Sequence, residues 1–480
     1  MGIVSSKAHA CLQRFGILVA CFAVACVFHF SADAAPAAPT PSAPSVQSND
    51  TELFIDVGRA GARKYKMAIP VFGIEPGTGV TDADREFASE KLSDIFSFMG
   101  SFDFIPAASY VAKGNISARP IQYDDWTPLQ TEGVILGKFV PSTAIGKFTL
   151  EMRFFDVKRR RQLHGVRYSD FEVGDLDRAL RRFADKCVEK LTGEKGIFST
   201  KIAFAGTRKA GEPRQIFISN LDGTGLRQVT NNGSINMSPS WAPDGTKLTY
   251  TSFRDGKADI FVYNMLTQKT SKLTAGFGNN SGANWHPDGR KIAFSGSHSG
   301  LTSIFTVNSL DGSERKSFIS GSGLEVEPAY SPDGSKIAFV SGRFGNPHLF
   351  IRDLRADSDT RITFAGWYNS SPSWRRDARK LAFAGYDRDI DRYDIFIVNP
   401  DGRQMERLTL DQGDNEKPTW SPDGRFIVFQ SNRLPKGRGK ANTYKLYVMS
   451  RDGSNVRQLN IPTLHDVVMP VWSPFLDSVD

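Results

Sequence analysis

A short phrase that recurs through the second half of the chain constrains the fold more than any other feature. Its fullest copy, Lys417–Phe429, contains an aromatic residue, Ser-Pro-Asp-Gly, a basic residue and an apolar run. The aromatic positions of the copies are Trp241, Trp285, Tyr330, Trp374, Trp420 and Trp472. They are separated by 44, 45, 44, 46 and 52 residues. A period of this size indicates a repeat architecture such as a β-propeller.

Each repeat is predicted to form four short strands. The aromatic residue ends the first strand and Pro-Asp-Gly forms a turn, because proline presets φ, aspartate bonds nearby backbone and glycine accepts positive φ. An apolar run such as Lys291–Phe294 follows as a buried second strand. A third run such as Ile395–Val398 and a short fourth strand near Arg407 complete the unit.

The two ends of the array are incomplete in complementary ways. Lys201–Phe204 matches a second strand but has no aromatic strand before it, whereas residues 470–474 match a first strand with nothing after it. Together they can complete one blade, which closes the ring and leaves no exposed terminal blade. We therefore predict a six-bladed propeller over residues 197–475.

Residues 51–195 lack the repeat and are predicted to form an α/β domain. The pattern predicts a helix over Thr81–Gly100 and a final helix that ends at Gly193. Predicted strands cover residues 67–72, 134–140, 148–155 and 162–168. The expected fold is thus multidomain, with an N-terminal α/β domain followed by a six-bladed β-propeller.

The N-terminus has the features of a secretory signal over residues 1–34. Lys7 and Arg14 precede an apolar core, and Ala32-Asp-Ala34 fits a small-residue cleavage site. A lipoprotein signal ending at Cys21 is the competing interpretation, but the apolar core continues well beyond that residue. Residues 35–50 are rich in Ala, Pro and Ser and are predicted to be a linker.

Cysteine usage argues against disulfide stabilisation. Cleavage near Ala34 would remove Cys11, Cys21 and Cys26, so that only Cys187 remains and no internal disulfide can form. Cys187 lies on the apolar face of the final predicted helix, which favours a buried structural thiol. Stability must then come from a large core.

Searches for catalytic motifs indicate none. Gly296–Gly300 resembles a hydrolase nucleophile elbow but has His298 where the serine belongs. Zinc and phosphate-loop signatures are absent from the sequence. The carboxylates of the 387–394 loop lack the glycine and glutamate of an EF-hand, so a solvated acidic loop is predicted. We expect no catalytic, cofactor-binding or metal site, and hence no enzyme.

The charge pattern does not favour nucleic acid as a partner. The formal net charge of +8 is spread along the chain. The densest basic run, Lys158–Arg161, lies between two predicted strands and is interpreted as a hairpin turn. A nucleic-acid surface would combine basic and aromatic residues along one face.

The remaining candidate site is a surface formed by loops. In a propeller, the loops before the first strands and those between the second and third strands emerge on one face. The first set covers residues 232–238, 277–284, 321–327, 366–371, 411–417 and 464–469. The second set contributes Arg254, Arg343 and Tyr386 with their neighbours. Polar loops with arginine and aromatic anchors suit protein recognition.

With these features the chain resembles the TolB family, the periplasmic propeller proteins of the Tol–Pal system of Gram-negative bacteria. The resemblance covers the signal peptide, the α/β domain and the blades with their Trp-Ser-Pro-Asp-Gly repeats, as at Trp420–Gly424. Secreted peptidases of the prolyl-oligopeptidase type share the repeat, but they are expected to carry a catalytic domain after it. Only six residues follow Pro474.

The resemblance implies a non-enzymatic, monomeric adaptor of the periplasm without direct membrane insertion after signal cleavage. It implies binding of a Pal-like outer-membrane lipoprotein through one propeller face and of a TolA-like inner-membrane protein through the N-terminal region. The implied role is outer-membrane integrity and constriction during cell division. Candidate partner-binding residues are Asn236, Asn279, Asn280, Ser281, Glu325, Val326, Tyr368, Asn369, Asn415, Glu416 and Asp466.

Two other functions stay open from the sequence. If the chain bound a small ligand or glycan in the propeller channel, the channel should contain a lined central cavity. If it were a secreted hydrolase, it should carry a nucleophile motif and a catalytic domain, and the motif search does not favour this.

Overall fold

The computed structural model describes residues 63–476, except 113, 275, 277, 299, 322, 411 and 436–438. The predicted signal peptide and linker, and the first residues of the predicted α/β domain, lie outside the described residues. Within them, no helix combines the length and apolar character that crossing a bilayer requires.

The N-terminal domain contains one mixed sheet and two long helices, as an α/β domain should. The strands are β1 (Tyr65–Ala68), β2 (Gly73–Ile74), β3 (Phe102–Phe104), β4 (Gly133–Pro141), β5 (Phe148–Asp156) and β6 (Arg161–Phe171), and the helices are α1 (Asp82–Ser97) and α2 (Leu176–Thr192). Short 3-10 helices span Ala107–Ser109, Ile116–Ala118, Tyr123–Asp125 and Val173–Asp175. The strand order is β3-β1-β4-β5-β6, and β2 pairs with β4.

The start of α1 and the end of α2 lie where the sequence predicts them, whereas α1 ends at Ser97, before the predicted Gly100. The Thr81 hydroxyl accepts a hydrogen bond from the Asp84 backbone N–H, and the Asp84 carboxylate accepts one from the Thr81 N–H at 2.9 Å, which forms a capping box. Helix α2 ends at Gly193 in the left-handed conformation, with φ of 73°. Cys187 is a buried free thiol on the apolar side of α2, as expected.

The predicted strand over residues 67–72 is wrong in extent, because β1 ends at Ala68. Pro70 has no N–H to donate to a strand ladder, and the chain instead turns Phe72 into the core. Its ring lies beside Gly137 of β4, where a Cβ would approach the ring to 2.3 Å. A glycine in mid-strand thus makes room for an aromatic side chain.

The propeller consists of six four-stranded antiparallel sheets. In chain order its strands are β7 (Lys201–Thr207), β8 (Gln215–Asn220), β9 (Arg227–Gln228), β10 (Asn236–Trp241), β11 (Lys247–Ser252), β12 (Asp259–Asn264), β13 (Thr270–Lys272), β14 (Asn280–Trp285), β15 (Lys291–His298), β16 (Leu301–Asn308), β17 (Lys316–Ile319), β18 (Glu325–Tyr330), β19 (Lys336–Ser341), β20 (His348–Asp353), β21 (Ser358–Arg361), β22 (Tyr368–Trp374), β23 (Leu381–Asp387), β24 (Arg392–Val398), β25 (Glu406–Arg407), β26 (Asn415–Trp420), β27 (Phe426–Arg433), β28 (Lys440–Ser450), β29 (Arg457–Gln458) and β30 (Asp466–Trp472). Blades 1 to 5 are the successive groups of four from β10 to β29. Blade 6 has the order β30-β7-β8-β9.

Blade 6 confirms that the ring closes by pairing the two ends of the repeat array. Trp472 in β30 is opposite Ile202 in β7. The Trp472 indole N–H also donates to the Thr200 hydroxyl at 2.8 Å, and the Lys201 N–H donates to the Ser473 hydroxyl at 2.9 Å. Closure removes the free edges that terminal blades would expose. The exact domain boundaries stay predictions.

The two domains share one hydrophobic core. Helix residues such as Phe96 and Leu180 belong to the same buried cluster as Phe204 and Phe426 of the propeller. The Phe98 ring lies 5.8 Å from the Phe426 ring. The N-terminal domain therefore packs against the side of blades 5 and 6 that carries the turns between their third and fourth strands.

The junction between the domains depends on a half-buried carboxylate, which gives a first prediction. Asp185 in α2 accepts hydrogen bonds from the Phe198 N–H at 2.6 Å and the Ser199 N–H at 3.0 Å. Asp185→Ala should leave both donors unpaired and lower the free energy of unfolding by about 2 kcal/mol. Urea denaturation measures this loss. Asp94→Ala, at an exposed position of α1, is the matched control, and equal effects of the two substitutions would contradict the prediction.

Candidate protein-binding face

The front face is defined by the loops that precede the first strands and by the hairpins between the second and third strands. The antiparallel order of each blade places both sets on the same side of the ring. The opposite side, the back face, carries the Pro-Asp-Gly turns and the contacts with the N-terminal domain. All of the candidate partner-binding residues lie in or beside the front loops.

Six of those candidates occupy the same repeat position, the first residue or its equivalent in the first strand, and their side chains are buried. They are Asn236, Asn280, Glu325, Asn369, Asn415 and Asp466. Five of them join neighbouring blades, whereas Glu325 pairs with Arg343 of its own blade at 3.2 Å. The Asn280 amide donates to the Asp259 carboxylate of the preceding blade at 3.0 Å, and the Thr274 hydroxyl donates to the same oxygen at 3.2 Å. Such residues position the front loops without exposing their own polar groups.

The repeat explains why this position is polar. Asn415 donates to Asp394 at 3.0 Å, and Asn369 lies 2.8 Å from the ring nitrogen of His348, in the corresponding places of the next blades. Buried polar groups must be hydrogen-bonded, and both amides find their partner across a blade boundary. The sequence identified these residues by their position in the loop, but it could not show that their side chains turn inward.

The other five candidates are more accessible. Asn279 is exposed, and its side-chain oxygen accepts from the Ala258 N–H at 3.1 Å. Ser281, Val326 and Tyr368 are half-buried. The half-buried Glu416 carboxylate accepts from the Tyr444 hydroxyl at 2.8 Å, and burial raises the pKa of this carboxyl. Which of these residues contact a partner stays a prediction.

The front face also exposes large apolar side chains that the sequence did not single out. They are Ile235, Phe253, Leu301, Leu324, Phe344, Phe364, Trp367, Ile390, Leu410 and Leu434. Their concentration in the front loops of blades 1 to 5 is a feature of protein interaction surfaces. The repeat predicted where these loops begin and end. It could not predict which of their side chains are exposed, because exposure depends on how neighbouring loops pack.

A channel runs through the centre of the ring and holds a cavity of about 320 Å³. Each first strand has a β-bulge there, and the bulged residues have positive φ. These residues are Ser238, Gly282, Glu327, Ser371, Lys417 and Met469. Lys417 of blade 5 forms an ion pair with Glu327 of blade 3, and the Ser371 N–H of blade 4 donates to the same carboxylate at 2.6 Å. The central cavity expected for a small-ligand binder is present, but its two charged groups bind each other.

The acidic loop of blade 4 does not gather its carboxylates into one site. Asp391 accepts from the Tyr386 hydroxyl at 2.7 Å, whereas Asp394 pairs with Arg407 on the outer strand. Asp387 accepts from the Asp389 N–H at 3.0 Å. Across the part of the chain that the structure describes, no group of three His, Cys, Asp or Glu side chains is arranged to hold a metal ion.

The fold and the face together define a class of protein, a strand-closed six-bladed propeller that follows an α/β domain and exposes an apolar front face. Comparison with known families specifies this class further. The profile of the TolB amino-terminal domain matches residues 53–163, and that of the TolB beta propeller domain matches residues 188–476. The chain therefore belongs to the TolB family.

Individual relatives agree with this assignment. The chain is 29% identical over 420 residues to the Tol-Pal system protein TolB of Bordetella pertussis, which covers 78% of this chain and 92% of that protein. It is 31% identical over 215 residues to the Tol-Pal system protein TolB of Desulfosudis oleivorans, covering 44% and 48% of the two chains. The crystal structure of TolB from Acinetobacter baumannii has the same fold, with a TM-score of 0.73 at 24% identity over 86% of this chain and 97% of that one.

Proposed function

We propose that this chain is a non-enzymatic periplasmic adaptor of the Tol–Pal system. The observation that carries the proposal is the match to both TolB domains, combined with the exposed apolar side chains of the front face. The N-terminal domain contacts the back face, so it leaves the described front loops open to a partner. An adaptor needs such a free surface and requires no assembled catalytic group.

The proposed partners follow from family membership. A Pal-like outer-membrane lipoprotein would bind the front face, where apolar anchors stand among polar loops. A TolA-like inner-membrane protein would bind the N-terminal region, much of which lies outside the described residues. Linking the two membranes in this way would support outer-membrane integrity and constriction during cell division.

The front-face proposal is tested by isothermal titration calorimetry of the secreted chain with the soluble domain of the same organism's Pal-like lipoprotein. Leu410 lies in the front loop before β26 and is 61% exposed. Leu410→Asp would place a charge in an apolar contact and should weaken binding at least about tenfold, as expected for an interface anchor. The parent chain should bind saturably.

Leu310→Asp is the matched control, because Leu310 is 79% exposed in a turn on the back face. It should leave affinity unchanged. Loss of binding in both variants, or in neither, would argue against the front face. Absence of binding by the parent chain at high micromolar concentration would overturn the Pal assignment and favour the channel-ligand alternative.

A further inference from the structure

Every blade has a stacked pair of aromatic rings, one from its second strand and one from its third. The pairs are Phe204–Phe217, Tyr250–Phe261, Phe294–Phe305, Phe339–Phe350, Phe383–Phe396 and Phe429–Tyr447. Their ring centroids lie between 5.5 and 6.1 Å apart. The pairs stand towards the front of the interfaces between blades, below the second-to-third-strand hairpins.

In four blades an arginine four residues after the first ring covers the pair. Arg254 lies 3.6 Å from the Phe261 ring, Arg343 lies 4.9 Å from Phe350, and Arg433 lies 4.5 Å from Tyr447. Arg208 occupies the same position in blade 6, at 5.5 Å from Phe217. A guanidinium over an aromatic face is a favourable cation–π contact, so the blade repeatedly uses its own arginine as a cover.

In blade 2 an arginine from a different strand covers the ring pair. Its equivalent position is His298, and Arg315 from the start of the fourth strand supplies the guanidinium instead. Arg315 lies 4.5 Å from the Phe305 ring and 5.5 Å from the Phe294 ring. An intramolecular cation therefore covers the ring pair in five of the six blades.

Blade 4 departs from this rule because Asp387 stands at the arginine position. Arg407 approaches the Phe396 ring only to 5.9 Å, which is farther than the covering guanidinium in any other blade, and it pairs with Asp394. Its counterpart in blade 1 is Lys272, which coexists with the covering arginine of that blade. Arg407 therefore corresponds to a second cation and does not replace the missing cover.

A cavity of about 610 Å³ opens where the covering arginine is missing. Its lining includes Phe383, Phe396, Trp367, Asp387, Arg388 and Met405. Trp367 is 48% exposed and forms an aromatic wall beside Arg388. Asp387 and Asp389 stand at the rim, and neither forms an ion pair with another described residue. The cavity is thus lined by aromatic faces, by the arginines Arg388 and Arg407, and by two carboxylates without a described ion-pair partner.

We propose that this cavity binds an arginine side chain from an extended peptide segment of a partner protein. The incoming guanidinium would take the place that the chain's own arginine fills in the other blades. Its planar group can stack on the aromatic rings and bind a carboxylate with two parallel hydrogen bonds, which a lysine ammonium cannot do. The proposal is independent of the partner identity proposed above, although the cavity opens on the same front face.

The test uses the secreted chain and a blocked Gly-Arg-Gly peptide, with citrulline and lysine versions as matched probes. Binding is followed by NMR chemical-shift changes of the tryptophan indole N–H signals. Citrulline keeps the shape of arginine without its charge, so it should bind at least about tenfold more weakly. The lysine peptide should also bind more weakly than the arginine peptide.

Asp387→Arg should restore the cover seen in the other blades and abolish peptide binding while the melting temperature stays the same or rises. Asp387→Asn, which is nearly isosteric, should weaken binding about tenfold without affecting the fold. Glu86→Arg makes the same charge change at an exposed helix position and should leave binding unchanged. Equal affinities for the arginine and citrulline peptides, or undiminished binding to folded Asp387→Arg, would overturn the proposal.

Discussion

Asp222→Ala is expected to lower the free energy of unfolding by about 3 kcal/mol, because it takes one of two carboxylates away from the buried Arg181 guanidinium between the two domains. Asp222 lies in the turn between β8 and β9 on the back face of blade 6. Its carboxylate accepts from Arg181 of α2 and from Lys91 of α1, each at 2.7 Å. The Arg181 side chain is only 3% exposed and also pairs with Asp177 at 2.8 Å. Removing Asp222 leaves more positive than negative charge around this buried guanidinium.

Asp311→Ala isolates the contribution of the domain interface. Asp311 lies in the equivalent turn of blade 2 and accepts from the Ser313 N–H at 2.9 Å, just as Asp222 accepts from the Thr224 N–H at 3.1 Å. Asp311 lacks the contacts with α1 and α2, so its replacement should cost less than about 1 kcal/mol. Urea denaturation of both variants measures the difference. Similar losses would show that the turn, and not the charge cluster, stabilises the junction.

The pH dependence of this cluster has a defined sign. Burial alone would raise the pKa of the Asp222 carboxyl, but Arg181 and Lys91 lower it well below its usual range. The stabilisation is therefore fully present above the ordinary aspartate pKa of about 4 and is lost as the pH falls towards the lowered value. The stability difference between the parent chain and Asp222→Ala should accordingly shrink under acid conditions.

Much of the fold was predictable because the repeat reports directly on strand order. The spacing from Trp241 to Trp472 specified the number of blades, and the unmatched strand at Lys201–Phe204 specified how the ring closes. Turn chemistry contributed as well, since Pro-Asp-Gly leaves few backbone alternatives. The N-terminal domain has no repeat, so short strands such as β2 and β3 went unpredicted.

The site was less predictable because its chemistry depends on contacts between distant parts of the chain. The loop pattern placed Asn280 and Asn415 on the front face, but their burial results from partners in the preceding blades. The significance of Asp387 is visible only when aligned blades show which residue covers the aromatic pair. The acidic spacing around it suggested a solvated loop, and the structure adds a cavity beside that loop.

The channel ion pair is a second contact that sequence could not reveal, since 90 residues separate Lys417 from Glu327. Lys417→Met should lower the free energy of unfolding by about 3 kcal/mol, because it leaves a carboxylate in the channel without its cation. Lys336→Met is the matched control. Lys336 pairs with Asp353 at 2.7 Å on the surface, where a lost ion pair costs less than about 1 kcal/mol.

A double variant distinguishes a broken pair from simple loss of a lysine. In Glu327→Gln/Lys417→Met both charges are gone, and stability should return to within about 1 kcal/mol of the parent chain. Urea denaturation of the parent, both single variants and the double variant gives the coupling energy directly. A double variant as unstable as Lys417→Met would mean that packing of the lysine stem, and not its charge, stabilises the channel.

A fall in pH should lower the free energy of unfolding of the parent chain and raise that of Lys417→Met. In the parent chain, burial raises the pKa of the Glu327 carboxyl, but Lys417 and the Ser371 N–H more than offset this and lower it. That stabilisation exists above the ordinary glutamate pKa of about 4.3 and disappears as the pH falls. In Lys417→Met only burial and the N–H remain, so protonation of Glu327 relieves the unpaired charge. The stability gap between parent and variant should therefore narrow from pH 7 to about pH 4, whereas a constant gap would exclude the ion pair as its cause.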